Sequence, residues 1–420
     1  MRIEILCTGD EVLSGKIVNS NFSYISQKLE DFGLQVIWGT TVGDDRDSLM
    51  AAFRLAAGRA DAVIVNGGLG PTVDDLSQEM AAKAAGVELV LSEEWLARME
   101  EYFQRRSRIM PPNNRKQAML PATAEILDNP VGTACGFALD IAGARFFFTP
   151  GVPRELRRML EDQIIPRLLK MSGVQAVIHL KRFHSYGIGE SRADTMLAGL
   201  EELAPDGSVK LGFRAHYPQL ETKITVRGRD MDEVQRKLEP VTAFVRERLG
   251  NFIVAEDDRT LEGEVLAALV AAGGTLTVAE TFTGGQIAAR FAPQPGAERV
   301  LRRAVASRDP DQLAAAAGLP ALPEDDAAVA VAVARGIAAA SGASHALAVL
   351  VALDEGSDRI DLGGTIRIAI VAGDRVETRE ARVLGGREWV RLGATEMGLD
   401  CLRRFLLGLP VAERIDFEKG

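Results

Sequence analysis

Short apolar runs alternate with amphipathic stretches along most of this chain, and the spacing of that alternation predicts its fold. Arg2 to Cys7 has the length and apolar content of a strand, and Asp61-Ala62-Val63-Ile64-Val65-Asn66 is a nearly continuous apolar run, the pattern of a strand buried on both faces. Between them Phe22, Ile25, Leu29 and Phe32 recur at helical spacing, with Asn19-Ser20-Asn21 ahead as a cap and Gly33 behind as a stop. Leu34 to Thr41 reads as a second strand and Arg46 to Gly58 as a second helix. Strand and helix alternating this closely imply right-handed crossovers and a largely parallel sheet covered on both faces, a doubly wound α/β domain.

Ser92 to Arg106 then predicts an amphipathic helix, and Asn129 to Phe137 a turn into a strand pair whose second arm holds Phe146-Phe147-Phe148. Thr149-Pro150-Gly151-Val152-Pro153 is a rigid glycine turn opening a helix that runs to about Met171, and Ser172-Gly173 marks a domain boundary. Strands at Ala176 to His184 and Leu220 to Gly228, with helices at Gly189 to Leu203 and Asp232 to Leu249, make a small α+β unit that serves as a spacer or dimerisation module. A charged connection, Ala255 to Thr260, leads into a helix at Leu261 to Ala272. Gly274 to Ala279 is a strand running into Glu280-Thr281-Phe282-Thr283-Gly284-Gly285, which repeats the first domain's order of strand, polar turn and helix. Alanine-rich helices follow, and Ala346 to Leu353 and Thr365 to Val371 supply further strands. With 420 residues the chain exceeds one ordinary core and divides into two or three domains.

The richest chemistry lies in Asn66-Gly67-Gly68-Leu69-Gly70-Pro71-Thr72-Val73-Asp74-Asp75. Three glycines let the backbone turn sharply and approach a ligand, and a helix is expected at once, with Thr72 capping it and Asp75 in capping-box position. Its N–H groups favour a phosphate, which the two aspartates repel unless a divalent cation lies between. Neighbouring helical residues point about 100° apart, so one aspartate caps and the other faces the ligand. Asp10 and Glu11 follow the first strand, where an α/β protein places its ligand. Arg115 and Lys116, after Pro111-Pro112, are cations available to a substrate phosphate.

A formal net charge of -10 argues against binding nucleic acid or an anionic membrane through bulk electrostatics. The three cysteines, Cys7, Cys135 and Cys401, are far apart and odd in number, which suits a reducing cytoplasm and suggests neither a disulfide framework nor a thiolate zinc site. No apolar run reaches membrane-spanning length, and the four histidines have no metal-ligand pairing.

Thr8-Gly9-Asp10-Glu11, Asn19-Ser20-Asn21, the glycine turn from Gly67 to Asp75, Asn129-Pro130-Val131-Gly132-Thr133 and Pro150-Gly151-Val152-Pro153 together resemble the CinA (competence/damage-inducible) family, with Cys135 where the family commonly has proline. The resemblance implies a three-layer MoaB/MogA-like, molybdopterin-binding type of domain over residues 1–171, the small α+β domain over 174–250, and an α/β CinA C-terminal domain over 258–415. It further implies metal-dependent hydrolysis of ADP-ribose or a related dinucleotide pyrophosphate by the first domain. The expected site has Asp10, Glu11 and Asp74 or Asp75 on Mg²⁺, Mn²⁺ or Co²⁺, with Glu11 as the alternative general base and Asp74 and Asp75 as catalytic partners. Asn21, Gly67, Gly68, Gly70, Thr72 and Arg115 are expected to bind the nucleotide.

The family's C-terminal domain is a nicotinamide mononucleotide deamidase with the motif Glu-Ser-Cys-Thr-Gly-Gly, where this chain reads Glu280-Thr281-Phe282-Thr283-Gly284-Gly285. Its tyrosine- and lysine-containing segment is replaced by Ala306-Ser307-Arg308-Asp309-Pro310, and its second glycine-rich loop by Leu353-Asp354-Glu355-Gly356-Ser357. A degenerate, inactive deamidase domain is therefore expected, beside a cytoplasmic homodimeric pyrophosphatase acting on a small nucleotide. Two alternatives stay open: a module that binds a pterin phosphate or nucleotide without turnover, and a deamidase in which Thr281 replaces the serine.

Overall fold

The computed structural model describes residues 1–173, 177–354, 356 and 362–418, in two compact units, Met1–His179 and Leu180–Gly420. In the first unit the strands are β1 (Ile3–Thr8), β2 (Val36–Val42), β3 (Ala62–Asn66), β4 (Leu89–Leu91), β5 (Met119–Pro121), β6 (Glu125–Leu127), β7 (Gly136–Ile141) and β8 (Ala144–Thr149). The helices are α1 (Asp10–Leu13), α2 (Ser20–Asp31), α3 (Arg46–Arg59), α4 (Ser77–Ala85), α5 (Glu93–Gln104), α6 (Pro153–Met159) and α7 (Ile165–Ser172). The main sheet has the order β2-β1-β3-β8-β7-β6, parallel through β8 and antiparallel beyond it. One face packs Phe53 against Phe146 and Phe148, with Phe137 stacked on Phe148 at 4.5 Å; the other packs Ile5, Ile64 and Phe147 against Ile25, Leu29 and Leu160. Burial on both faces is why β1 and β3 read as apolar runs without alternation.

Register brings the ends of the parallel strands together. Cys7 lies opposite Asn66, and Asn66 opposite Thr149, so the loops after β1, β3 and β8 leave the sheet side by side. That is where an open α/β sheet holds a ligand. One local expectation fails there. Helix α4 begins at Ser77, after a Leu76 N-cap that makes no side-chain capping bond, so Thr72 does not cap it. The Asp75 carboxylate instead accepts from the Thr72 N–H at 2.8 Å and the Thr72 hydroxyl at 2.6 Å, closing a turn ahead of the helix.

The second unit contains a four-stranded sheet, β10-β11-β9-β12, built from β9 (Val177–Tyr186), β10 (Val209–His216), β11 (Gln219–Gly228) and β12 (Ile253–Glu256). Helices α8 (Glu190–Met196) and α9 (Met231–Leu249) accompany it, α9 following β11. After α10 (Leu261–Ala271), a second sheet has the order β14-β13-β15-β16-β17, from β13 (Leu276–Glu280), β14 (Leu301–Ala306), β15 (His345–Leu353), β16 (Gly363–Ala372) and β17 (Arg375–Leu384). Helices α11 (Gln286–Phe291), α12 (Ala297–Val300), α13 (Pro310–Ala316), α14 (Asp326–Ser341) and α15 (Arg387–Leu407) complete it, and apolar clusters cover both of its faces. Strands β10, β12, β14 and β17 have no counterpart in the sequence expectations, and each lies at a sheet edge.

Helix α15 is buried along most of its length and holds a charged centre. Asp400, fully buried, accepts from Arg403 Nη2 at 2.7 Å and from Arg404 Nε at 2.7 Å, and Arg404 reaches on to Glu413 and the Pro410 carbonyl. Removing the shared carboxylate leaves two buried guanidinium groups short of counter-charge. Asp400→Ala is expected to lower unfolding free energy by about 3–5 kcal/mol in denaturant titration, and a loss below about 1 kcal/mol would contradict this account of the cluster.

Candidate functional site

In the first unit a cavity of about 760 Å³ opens over the ends of β1, β3 and β8. Its floor is a chain of buried amides. Asn66 Nδ2 donates to Thr149 Oγ1 at 3.2 Å and to the Pro150 carbonyl at 2.7 Å, while Asn66 Oδ1 accepts from Asn21 Nδ2 at 2.9 Å. Asn21 Nδ2 also donates to the Gly151 carbonyl at 2.7 Å, so the Asn21 amide joins the three loops instead of reaching freely toward a ribose. Thr8 lines the same cavity, only 6% exposed, and its hydroxyl has no partner.

The glycine turn forms one wall, and two of its glycines are required by geometry. Gly67 has φ 115° and a Cβ there would lie 2.6 Å from Thr8 Oγ1; Gly68 has φ 69° and a Cβ would lie 2.4 Å from Ser77 Oγ. Ser77 Oγ in turn donates to the Gly67 carbonyl at 2.9 Å. Gly70 and Thr72 also line the cavity, while Arg115 is exposed and does not. Its neighbour Lys116 donates to the Thr72 carbonyl, and Gln117 Nε2 donates to the Leu69 carbonyl at 3.2 Å. The segment after Pro111 therefore braces the glycine turn.

Of the expected metal-binding carboxylates, Glu11, Asp74 and Asp75 line the cavity and Asp10 does not. Asp10 Oδ1 accepts from the Asp44 N–H at 3.2 Å, and Asp44 Oδ2 accepts from the Asp10 N–H at 3.0 Å, a reciprocal pair that pins the loop after β2. Asp44, absent from the sequence-derived set, lines the cavity too. Burial first, and then the negative charges of Asp10, Glu11 and Asp75, hold its carboxyl above the usual range. Among the described residues no group of three or more His, Cys, Asp or Glu side chains is arranged to hold a metal ion.

A further wall unites two sequence motifs. Asn129 Nδ2 donates to the Ala134 carbonyl at 3.0 Å and to Glu155 Oε2 at 2.7 Å, and Asn129 Oδ1 accepts from the Val131 N–H at 3.3 Å. Glu155, in the first turn of α6, lines the cavity, and burial raises its carboxyl pKa. Sequence reasoning had both motifs and assigned no role to Asn66, Asn114, Gln117, Asn129 or Glu155.

The second candidate site is at the carboxyl end of β13. Glu280 is fully buried and accepts from Thr283 Oγ1 at 2.5 Å and the Ile287 N–H at 3.2 Å, closing the strand-to-helix turn. Gly284 and Gly285 take φ of 70° and 89°, and the turn needs both in the left-handed region. Thr281 donates its N–H to the Val349 carbonyl at 3.2 Å, and its Oγ1 accepts from the Val351 N–H at 2.8 Å. The Arg308 guanidinium lies 5.3 Å from the centre of the neighbouring Phe282 ring. Asp354 pairs with Arg382 at 2.6 Å, while Glu355 and Ser357 of that loop lie outside the described residues.

Three family profiles match the chain in succession: a probable molybdopterin binding domain at residues 4–170, the damage-inducible protein CinA KH domain at 181–255, and the CinA C-terminal domain at 258–406. The first agrees with the MoaB/MogA-like, largely parallel α/β domain expected at the N-terminus. A "CinA-like protein" of Shewanella frigidimarina is 39% identical over 97% of this chain and 96% of its own length. The "Nicotinamide-nucleotide amidohydrolase PncC" of Shewanella oneidensis is 37% identical over 97% of this chain and 96% of its own. A solved structure, the protein CinA with unknown function from Thermoplasma acidophilum, is 33% identical, covers 41% of this chain and 98% of its own, and has a TM-score of 0.36.

These findings overturn two expectations. The Shewanella oneidensis relative is named as an amidohydrolase, and the CinA C-terminal match includes the segment from Glu280 to Gly285, so neither the ADP-ribose pyrophosphatase nor the inactive deamidase-like half is retained. With near-complete coverage on both sides and all three domain matches in order, the chain belongs to the CinA family.

Proposed function

We propose that this chain hydrolyses the carboxamide of a nicotinamide nucleotide, with Thr281 as the nucleophile of its C-terminal domain. The observation that carries the reading is the 37% identity, over 97% of the chain, to a relative named as a nicotinamide-nucleotide amidohydrolase. The local chemistry supports it. Thr281 Oγ1 accepts a backbone hydrogen bond from Val351, which orients the hydroxyl and favours loss of its proton before attack. Among the described residues its own proton has no protein acceptor.

Amide hydrolysis through such a hydroxyl proceeds in two steps. The oxygen adds to the carboxamide carbon, the C–N bond breaks and ammonia leaves with a proton; water then cleaves the ester and returns the hydroxyl. A nucleophile that must lose its proton to water, not to a side-chain base, turns over slowly, because positioned base catalysis typically contributes about 10²–10⁴-fold. The threonine methyl group further restricts χ1.

A second reading concerns the first unit, where a large cavity lined by paired amides, a glycine turn and an unpartnered hydroxyl suits a nucleotide or pterin phosphate bound without turnover. Both readings can hold together.

With nicotinamide mononucleotide as substrate, Thr281→Ala is expected to lower ammonia release by at least about a thousandfold. Thr281→Ser, which keeps the hydroxyl and removes the methyl, is expected to raise it roughly threefold to tenfold. Unchanged ammonia release in Thr281→Ala would contradict the assignment. For the first unit, Asn66→Ala takes a donor from the Pro150 carbonyl and the acceptor from one Asn21 N–H, and is expected to weaken binding of a nucleoside monophosphate about tenfold or more by isothermal titration. Equal affinity would contradict the role given to the amide floor.

A further inference from the structure

Within the second unit, the small four-stranded sheet sends one hairpin onto the body that holds Thr281. Between β10 and β11 the chain turns at Tyr217-Pro218, and Tyr217 stacks on Trp389 of α15 with ring centres 3.5 Å apart and planes 15° from parallel. The Tyr217 hydroxyl donates to the Trp389 carbonyl at 3.1 Å, and α15 makes room for it at Gly393, where a Cβ would lie 2.6 Å from that oxygen. Two residues on, Gln219 Nε2 donates to Glu396 Oε1 at 2.5 Å. Glu396 is only 2% exposed, and among the described residues Gln219 is the sole donor to that oxygen.

From Glu396 a short chain of contacts leads to the nucleophile. Glu396 Oε2 accepts from Arg290 Nη1 at 2.5 Å, and Arg290 Nη2 donates to Glu262 Oε2 at 2.6 Å, so one guanidinium serves two buried carboxylates. A buried carboxylate that shares its counter-charge depends on neutral donors for the rest of its bonds. Arg290 belongs to α11, the helix that the turn after Thr281 enters. Gln286, at the start of α11, is tied to α15 as well, its Oε1 accepting from Arg391 Nη1 at 2.6 Å and Thr395 Oγ1 at 3.3 Å. Gly398 lets α15 approach so closely that a Cβ there would lie 2.6 Å from Cγ2 of Val349, whose carbonyl accepts the Thr281 N–H. Glu280 accepts from the Ile287 and Ala288 N–H groups, which ties the strand end, Thr281 and α11 into one piece. Any shift of α11 along α15 therefore shifts the hydroxyl.

We infer that the hairpin between β10 and β11 positions the nucleophile, with Gln219 acting through Glu396 and Arg290 to set where α11, and with it Thr281 Oγ1, lies against the substrate. The inference rests on the reading of Thr281 as the nucleophile of nicotinamide-nucleotide hydrolysis. Gln219 is on this account a positioning residue that touches neither substrate nor reacting atoms. Misplacing an attacking atom by about 1 Å costs roughly a hundredfold in rate, whereas substrate affinity gains little from the attacking oxygen and changes less. The small α+β domain thereby takes a part in the reaction through a single side-chain amide.

The test is the steady-state kinetics of ammonia release from nicotinamide mononucleotide by the full chain. Gln219→Leu keeps the bulk of the side chain and removes its donor; it is expected to lower kcat about tenfold to a hundredfold while KM stays within about threefold. Gln219→Lys returns a donor to Glu396 and is expected to hold kcat within about threefold of the unsubstituted chain. Thermal melting checks that each variant is folded, and Gln219→Ala takes the place of the leucine variant should that one melt early. An unchanged kcat in the folded variant, a loss confined to KM, or a loss that lysine does not recover would overturn the inference while leaving hydrolysis by Thr281 intact. No ammonia release by the unsubstituted chain, or release that survives Thr281→Ala, would remove both the inference and the reading beneath it.

Discussion

Asn66 ends a fully buried strand with a side-chain amide that is only 5% exposed, at the floor of the cavity. It takes its three polar bonds from the loops after β1 and β8, through Asn21, Thr149 and Pro150. Those loops could adopt many conformations on the strand register alone. The cost of leaving a buried amide unpaired selects the one that leaves an open cavity above the sheet. Gly67 then turns out of β3 with a φ that side chains rarely adopt, because Thr8 occupies the place its Cβ would take. The rest of the first site is arranged around that fixed floor.

The second unit solves the same geometrical problem with different groups. Strand β13 also ends in a buried polar residue, Glu280, and also passes into a turn of left-handed glycines. There the carboxylate satisfies backbone N–H groups of the helix that follows, leaving the next residue, Thr281, to present a hydroxyl supported by Val351. The first unit offers a wide cavity with several carboxylates facing it; the second offers one oriented oxygen. Binding suits the former, and attack on a carbonyl carbon suits the latter.

Much of this was legible from residue order. Buried runs such as Val63-Ile64-Val65 announce central strands because both faces are apolar, and Asn19 announces a cap that the structure retains, accepting from the Phe22 N–H at 3.0 Å. The strands that escaped are edges, where half the positions meet solvent and the apolar signal fades; β17 reads Arg375-Val376-Glu377-Thr378-Arg379-Glu380, nearly all polar. Capping by Thr72 was misplaced because a short polar turn satisfies Thr72 and Asp75 before the helix begins. Glu155 was missed because its meaning depends on Asn129 and Gly132, more than twenty residues earlier, and no periodicity links the two loops. The enzymatic expectation was overturned by the relative named as an amidohydrolase and by the CinA C-terminal match, while in space Asp10 pairs with Asp44 and Asp75 with Thr72.

The account's central claim is that this chain hydrolyses the carboxamide of a nicotinamide nucleotide. Incubating the full chain with nicotinamide mononucleotide in heavy-oxygen water, and weighing the product by mass spectrometry, tests that claim most directly. The predicted result is nicotinate mononucleotide with a single heavy oxygen atom in its carboxylate and an equal amount of ammonia. Recovery of unaltered nicotinamide mononucleotide after prolonged incubation with folded protein would contradict it.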